Sequence, residues 1–363
     1  MPIDADLRQR IASSAAVGFP DQIAFTQQLV RFPSTRGNEH TVQDFMAREL
    51  RGRGMAVDVF AMEDAALARH PGGSRISDTH SRAPIVVGIH RPRTETGRSL
   101  ILQGHVDVVP PGPLDMWTTP PFDPVIRDGW MSGRGAGDMK AGVASAVFAL
   151  DALRRIGLQP AATVYMQSVV EEESTGNGAL MTHLRGYKAD AALVPEPGNE
   201  GLTRANLGVL WFQLEVRGIP VHVANMGTGA NAIDAAYRVI GALRQLEERW
   251  NAKAKAHDLF GAHHHPINLN LGKIEGGDWA SSVPAWCRID CRIAFLPGTS
   301  AAAAAAEIEA CITEFARRDS FLANNPPRVI WNVFFAEGYR LEPGSGAERT
   351  LAAAHMSVTG QPL

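Results

Sequence analysis

The order of apolar and polar positions in the first half of the chain predicts helices and strands in alternation. Apolar residues spaced about one helical turn apart predict helices over 21–32 and 41–53, and the polar stretch 61–82 is predicted to be a loop. An Ala-rich helix is expected over 140–156. Short apolar runs bounded by Gly, Pro and polar residues predict buried strands at 84–89, 99–103 and 162–170. This order favours a largely parallel sheet with helices on its faces.

The pattern changes near residue 204, where alternating strands and amphipathic helices follow one another. Helices are predicted over 231–248 and 301–315, the second capped by Thr299 or Ser300. Strands are predicted at 209–217, 268–271 and 287–295. Together these elements make a small two-layer α+β unit. A further strand at 329–335 and a helix at 346–358 follow. A length of 363 residues also favours two domains.

Composition narrows the class of protein. Hydrophobic residues make up 45% and charged residues 20%, an ordinary globular mix that excludes a disordered chain and a disulfide scaffold. The net charge of −3 provides no basic field for nucleic acid or an anionic membrane surface. No apolar run has the length of a membrane span, and the N-terminus lacks the apolar core of a secretory signal. We therefore expect a cytoplasmic protein with neither nucleic acid nor membrane as partner.

Two segments place a histidine or an acid where an element begins or ends. In GHVDVVP (104–110), His105 and Asp107 are two residues apart and share one face of an extended chain. A carboxylate in that position can fix the imidazole tautomer of a metal ligand, although a surface histidine beside an aspartate is the plainer interpretation. In SGRGAGDMKAG (132–142), Asp138 stands where a helix begins, which an ordinary N-cap aspartate would also do.

Two more segments add carboxylates. EEESTGNG (171–178) places three consecutive acids after a buried strand, where they repel one another unless a cation or a proton intervenes. PEPG (195–198) holds Glu196 on a stiff turn between two prolines, as an ordinary turn acid would also be held. Imidazole and carboxylates together form the donor set of zinc, cobalt or manganese.

The order and spacing of these four segments resemble the co-catalytic zinc amidohydrolase and metallopeptidase family. That family includes acetylornithine deacetylase, succinyl-diaminopimelate desuccinylase, aminoacylase and glutamate carboxypeptidase. The similarity extends over 31–360. It implies an α/β fold, in which a zinc-peptidase-like mixed sheet flanked by helices carries an inserted two-layer α+β lid or dimerisation domain.

The resemblance also implies a division of the chain. Residues 1–203 would form the first part of the catalytic domain, 204–322 the lid and 323–363 an incomplete return to the catalytic domain. The chain would form a homodimer through the lid.

The resemblance implies two divalent metal ions, zinc or else cobalt, at the four segments. His105 and Glu196 would bind one ion and Glu173 the other, while Asp138 would bridge both. Asp107 would orient the His105 imidazole without binding a metal ion itself.

Catalytic and substrate-binding roles follow from the same resemblance. Glu172 would be the general base that takes a proton from water and passes it to the leaving amine. His222, in RGIPVH, would reach the partner subunit's site and stabilise the oxyanion. Arg292 would bind the substrate carboxylate bidentately. In some relatives an asparagine precedes a Val-Pro pair. In this chain Ser281 and Ser282 precede the corresponding pair, Val283-Pro284.

One expected ligand is absent from the sequence. In relatives the last metal ligand is a histidine near the C-terminus, but the only histidine after Arg292 is His355, within the predicted helix 346–358. The resemblance thus predicts hydrolysis of the amide bond of an N-acyl amino acid, or of a dipeptide or C-terminal residue in a short peptide. It also leaves open a fragment of a longer enzyme, or a catalytically impaired binding or dimerisation module.

Overall fold

A computed structural model describes residues 4–198 and 201–363 of the chain. These residues form two compact units. The first consists of the described residues up to Gly73 together with Asp78–Leu202 and Glu342–Leu363. The second consists of Ser74–Ser77 and Thr203–Leu341 and therefore interrupts the first along the chain.

The first unit combines helices with a mixed sheet. Its helices before residue 203 are α1 (Ala5–Val30), α2 (His40–Gly52), α3 (Asp64–Arg69), α4 (Ala141–Arg155) and α5 (Asn177–Leu184). Its strands are β1 (Ala56–Phe60), β2 (Ile85–His90), β3 (Leu100–His105), β4 (Val125–Arg127), β5 (Trp130–Ser132), β6 (Val164–Val169) and β7 (Ala191–Leu193). Strands β4 and β5 pair only with each other in the described part of the chain.

The main sheet has the strand order β1-β2-β6-β3-β7. Strand β3 runs parallel to β6 and β7, whereas β2 is antiparallel to both β1 and β6. The expected largely parallel sheet is therefore mixed, as the family resemblance implied. Because β3, β6 and β7 point the same way, the segments that follow them leave the sheet at one edge. His105 is opposite Val169 in this register.

Three helices and the sheet share one core. Helices α2 and α4 pack against strands of the sheet, and α1 packs against α4, so that buried side chains of all three join one hydrophobic cluster. Examples are Leu29, Met46, Leu50, Val86, Val143 and Met166. Helix α1 begins at Ala5, sixteen residues before the predicted start at Asp21, and runs through Pro20. The Asp4 carboxylate caps it by accepting from the amide of Leu7 at 3.3 Å.

The second unit is a separate two-layer structure. Its strands are β8 (Ala205–Asn206), β9 (Gly208–Arg217), β10 (Leu269–Gly276), β11 (Trp286–Phe295), β12 (Arg328–Ala336) and β13 (Tyr339–Arg340). Its helices are α6 (Ala232–Ala254) and α7 (Ala301–Arg318), the latter capped by the predicted Ser300. The antiparallel sheet β10-β11-β9-β12 buries the apolar side of both helices, which confirms the predicted α+β unit.

Strand β12 shifts the expected division of the chain. The segment 323–363 was predicted to return to the first unit as a whole, but β12 pairs with β9 and belongs to the second unit. The return starts at Glu342 and forms helix α8 (Gly346–Thr359). There the Arg8 guanidinium of α1 donates to the carbonyl of Ser357 at 2.9 Å. Apolar periodicity predicts a strand but does not determine which sheet that strand joins.

Within the described ranges, every helix is too short or too polar to cross a bilayer.

A buried carboxyl group lies at the start of α2. Glu39 is 0% exposed and accepts a hydrogen bond from the Ser81 hydroxyl at 2.8 Å, which itself accepts from the amide of Ala83. Burial raises the pKa of Glu39 from 4.5 to about 7, although the Ser81 hydroxyl opposes the shift. The folded chain therefore holds a proton at Glu39 more tightly than the unfolded chain does.

We expect Leu243→Ala to lower the free energy of unfolding of the second unit by about 2–5 kcal/mol, because Leu243 is fully buried between α6 and the sheet. Urea unfolding followed by circular dichroism measures this loss. Tyr237→Ala, at a side chain 61% exposed on the same helix, is the matched control and should change stability by less than about 0.5 kcal/mol. Equal losses in the two variants would contradict this packing.

We expect Glu39→Gln to remove a pH-dependent contribution to stability. The raised pKa stabilises the wild type below about pH 4.5, and this contribution is lost as the pH rises through about 7. The variant should match the wild type near pH 4 and exceed it at pH 8 by up to ~3 kcal/mol. Urea unfolding at both pH values measures the difference. Asp44→Asn, at an exposed position on α2, should leave the pH dependence unchanged. An unchanged dependence in Glu39→Gln would show that another group causes it.

Candidate metal centre

His105 lies at the edge of the sheet where the parallel strands end. It is the last residue of β3, and its imidazole is buried. The Nδ1 atom lies 2.9 Å from the carbonyl oxygen of Asp107 and 3.5 Å from Oδ1 of the same residue. A proton on Nδ1 donated to these oxygens leaves the lone pair of Nε2 free, which is the state of a metal-binding histidine.

Four carboxylates surround the free nitrogen. Nε2 of His105 is 3.1 Å from Oδ1 of Asp138, 3.5 Å from Oε1 of Glu196 and 3.7 Å from Oε2 of Glu172. Ligand atoms of His105, Asp138 and Glu173 lie within 4.8 Å of one another, and so do those of His105, Glu172 and Glu196. The structure therefore brings together five side chains from the four segments. We call these five the acidic cluster: His105, Asp138, Glu172, Glu173 and Glu196.

The glycine-rich segment places Asp138 through a tight turn. Gly135 has a left-handed φ of 78°, and a side chain there would also meet Val108. The peptide bond between Asp138 and Met139 is cis. The next side chain, Lys140, is fully buried and donates to the carbonyl of Phe32 at 2.9 Å, and burial lowers its pKa to about 7.

Glu196 is placed by a close approach of two backbones. At Gly142, near the start of α4, a Cβ atom would lie 2.2 Å from the carbonyl oxygen of Pro195. Only glycine leaves room for the turn that carries Glu196, whose carboxylate is 41% exposed.

Asp107 joins the histidine to the acid-rich turn. Its Oδ2 accepts from the backbone amide of Glu173 at 3.1 Å, while its Oδ1 lies 3.5 Å from His105 Nδ1. The predicted orienting residue therefore also positions the segment that supplies two carboxylates.

The pKa shifts in the acidic cluster reflect its crowding. Burial raises the pKa of Glu172 to about 7, and burial together with the charge of Asp138 raises that of Glu173 to about 7. Burial alone would lower the pKa of His105, but hydrogen bonds to Asp107, Asp138 and Glu196 hold it well above its usual range. The bond to His105 lowers the pKa of Asp138.

The donor set fits a divalent cation. The acidic cluster has one imidazole and four carboxylates, so its acidic groups outnumber the single positive charge that the imidazole can carry. The side chains of Asp138, Glu172 and Glu196 are 41–56% exposed. Nitrogen and oxygen donors of this kind suit zinc, cobalt or manganese.

Sequence reasoning missed the partner of the first acid in the run. Glu171 is 0% exposed and receives two hydrogen bonds from the Arg36 guanidinium. The partners are 135 residues apart, so no local spacing links them.

Two predicted residues lie in the second unit. His222 is exposed, and its Nδ1 accepts from the amide of Ala224 at 3.2 Å. Arg292 is on β11 opposite Trp211, and partial burial lowers its pKa. Their assigned roles stay predictions. His355 lies on α8, and the acidic cluster, as defined over the described residues, does not include it.

Comparisons with known proteins give the same family. The model of Peptidase family M20/M25/M40 matches residues 101–331. The chain is 29% identical over 306 residues to an N-formyl-4-amino-5-aminomethyl-2-methylpyrimidine deformylase from Halalkalibacterium halodurans, covering 79% of this chain and 70% of that protein. It is 29% identical over 272 residues to a succinyl-diaminopimelate desuccinylase from Acidovorax ebreus, covering 72% of this chain. That match spans 65% of the desuccinylase, less than two thirds of its length.

Solved structures share the fold. The dipeptidase Dug1p from Saccharomyces cerevisiae aligns with 98% of this chain and 85% of its own, at a TM-score of 0.75 and 17% identity. The YXEP protein of Bacillus subtilis, a dinuclear metal-binding peptidase of the M20 family, aligns with 93% of this chain and 80% of its own, at a TM-score of 0.51 and 14% identity. These matches confirm the predicted mixed α/β fold with its inserted unit. The chain belongs to the hydrolases of Peptidase family M20/M25/M40.

Proposed function

We propose that this protein is a metal-dependent amidohydrolase that cleaves the amide bond of an N-acyl amino acid. The observation that supports it is the acidic cluster, in which five side chains from four separate segments converge at one edge of the sheet. Like-charged groups are not gathered in this way unless a cation or a proton offsets their repulsion.

The residues divide into those that would hold metal and those that would move protons. His105 and Glu196 would hold one zinc or cobalt ion, Glu173 the other, and Asp138 both. Two such ions supply Lewis-acid polarisation of the scissile carbonyl and lower the pKa of water. Asp107 keeps the proton on Nδ1 of His105, which leaves Nε2 as the donor.

Glu172 fits the role of general base. Its carboxylate is in the acidic cluster, 3.7 Å from His105 Nε2, and 46% of its side chain is accessible. A carboxylate crowded by other acids accepts a proton more readily than a free one. We propose that it takes a proton from the attacking water and returns it to the leaving amine nitrogen.

The second unit would complete the site in a cytoplasmic homodimer. We propose that His222 stabilises the oxyanion in the site of the partner subunit, and that Arg292 binds the substrate carboxylate. Arg292 is partly buried, as a guanidinium that binds an anionic ligand would be.

By their names, the deformylase removes an acyl group from an aminomethylpyrimidine and the desuccinylase removes one from diaminopimelate. Both favour an N-acyl substrate, and the desuccinylase favours an N-acyl amino acid. A dipeptide or the C-terminal residue of a short peptide presents the same amide beside a carboxylate and is the alternative substrate of the same chemistry. Both substrate classes should be tested in the same assay, because the shape of the pocket decides which of them is cleaved.

We expect Glu172→Gln to lower kcat by about 10²- to 10⁴-fold, because the amide cannot accept the proton of water. Turnover is measured on a panel of N-formyl, N-acetyl and N-succinyl amino acids and dipeptides with added Zn²⁺ or Co²⁺. Metal content should stay at the wild-type level, since Glu172 is not assigned as a ligand. Glu63→Gln, an exposed acid outside the acidic cluster, is the control and should retain full turnover. Full turnover in Glu172→Gln would remove this residue as the base.

We expect the purified protein to bind two Zn²⁺ or Co²⁺ ions per chain and to lose turnover when a chelator removes them. Both groups of ligand atoms found in the described residues share the single imidazole of His105, which is the observation that favours a catalytically impaired module instead. Elemental analysis and reconstitution separate the two hypotheses. Two ions with restored turnover support the hydrolase; one ion or none, with substrate bound but not cleaved, supports the module.

A further inference from the structure

Glu171 lies directly before the two cluster acids, with a backbone that a glutamate rarely adopts. Its φ is 66°, in the left-handed region, and its side chain is 0% exposed. Its carbonyl oxygen accepts from the amides of Thr175 and Gly176 at 2.9 and 2.8 Å, which closes the turn. The positions of Glu172 and Glu173 after β6 therefore depend on how firmly Glu171 is held.

The carboxylate of Glu171 bonds to groups outside the acidic cluster and is fully hydrogen-bonded. Oε1 accepts from Nε of Arg36 at 2.6 Å and from the amide of Ser81 at 2.8 Å. Oε2 accepts from Nη2 of Arg36 at 2.9 Å and from the hydroxyl of Thr175 at 2.8 Å. Four donors match the lone pairs of one carboxylate, and the paired bonds from a single guanidinium fix its orientation as well as its position.

Arg36 is in turn held to the loop that follows His105. Two residues before it, the Ser34 hydroxyl donates to the carbonyl of Val106 at 2.6 Å, and the Ser34 backbone carbonyl accepts from the amide of Val108 at 3.0 Å. Thr35 forms a parallel bridge with Val108. The segment that carries Arg36 is thus bonded on both sides of Asp107.

These bonds make the Arg36–Glu171 ion pair a connection between two of the four segments that form the acidic cluster. One is His105 with the loop that follows it, and the other is the turn with Glu172 and Glu173. The Glu173 amide donates directly to Asp107 between these segments, and the part-buried ion pair is a second connection between them.

We propose that Arg36 and Glu171 are positioning residues that set the distance between His105 and the carboxylates of Glu172 and Glu173. The inference rests on the proposed function, because the distance matters only where these groups act on a shared metal site. Neither residue touches substrate or metal in this role; both act through the turn.

We expect Glu171→Gln and Arg36→Lys to bind Co²⁺ about 10- to 100-fold more weakly, as changes to the outer partners of metal ligands do. The glutamine lacks the charge, and the lysine offers one donor direction in place of a planar fork. Isothermal titration of the metal-free full chain with CoCl₂ measures the affinity, and the visible spectrum of the Co²⁺ form should shift as its ligand geometry changes. In the reconstituted protein kcat should fall while KM changes little.

Asp151→Asn is the matched control, since it breaks another part-buried ion pair of the first unit, with Nε of Arg53 at 2.9 Å. It should lower the thermal midpoint by an amount comparable to Arg36→Lys, yet leave the Co²⁺ affinity and spectrum at wild-type values. If Glu171→Gln does not fold, Arg36→Lys decides, because it keeps the positive charge.

Two results would overturn the inference, and they are distinguishable. Folded variants with wild-type Co²⁺ affinity, spectrum and kcat would show that the ion pair is only structural, while the proposed function stands. A wild-type chain that binds no Co²⁺ and does not turn over would remove the proposed function and the positioning role together.

Discussion

Repulsion among four carboxylates around one buried imidazole is the constraint that the first unit has to satisfy. Nε2 of His105 has acid oxygens at 3.1, 3.5 and 3.7 Å, and Glu173 completes the acidic cluster. Charges at such separations destabilise a fold unless protons or a cation offset them. The frame around them must therefore be rigid enough to hold the groups where a cation can bind.

The frame achieves this with backbone rather than with flexible side chains. Parallel strands β3, β6 and β7 bring their following segments to one edge, so that three of the four motifs start from fixed positions. The left-handed turn at Gly135 fixes the fourth motif, which carries Asp138. The close approach of Gly142 to the carbonyl of Pro195 fixes the turn that carries Glu196. Glu171 and Arg36 also connect the turn to the loop through a part-buried ion pair, which salt weakens less than it weakens a surface pair.

Membership of the M20/M25/M40 family follows from the sequence match, while the acidic cluster explains why the motifs that the family resemblance rests on have those residue types. An imidazole with its tautomer fixed, a central aspartate and two glutamates form a compact donor set for hard or borderline cations. The remaining acid, Glu172, is 46% exposed and lies among other acids, as the general base that we propose would.

The sequence by itself determined the residues of the acidic cluster, because the order of its four motifs carries the family resemblance. Each motif also combines a local element with its chemistry, such as His105 at a strand end or Glu172 and Glu173 after an apolar run. It also predicted most helices and strands, since periodicity reports which side of an element is buried. It missed β1, a half-exposed edge strand, the short helix α3 within the predicted loop 61–82, and the first turns of α1 before Pro20. Only the tertiary structure decided that β12 joins β9 and that Arg36 pairs with Glu171 across 135 residues. Such pairings depend on the path of the whole chain, which no local pattern encodes.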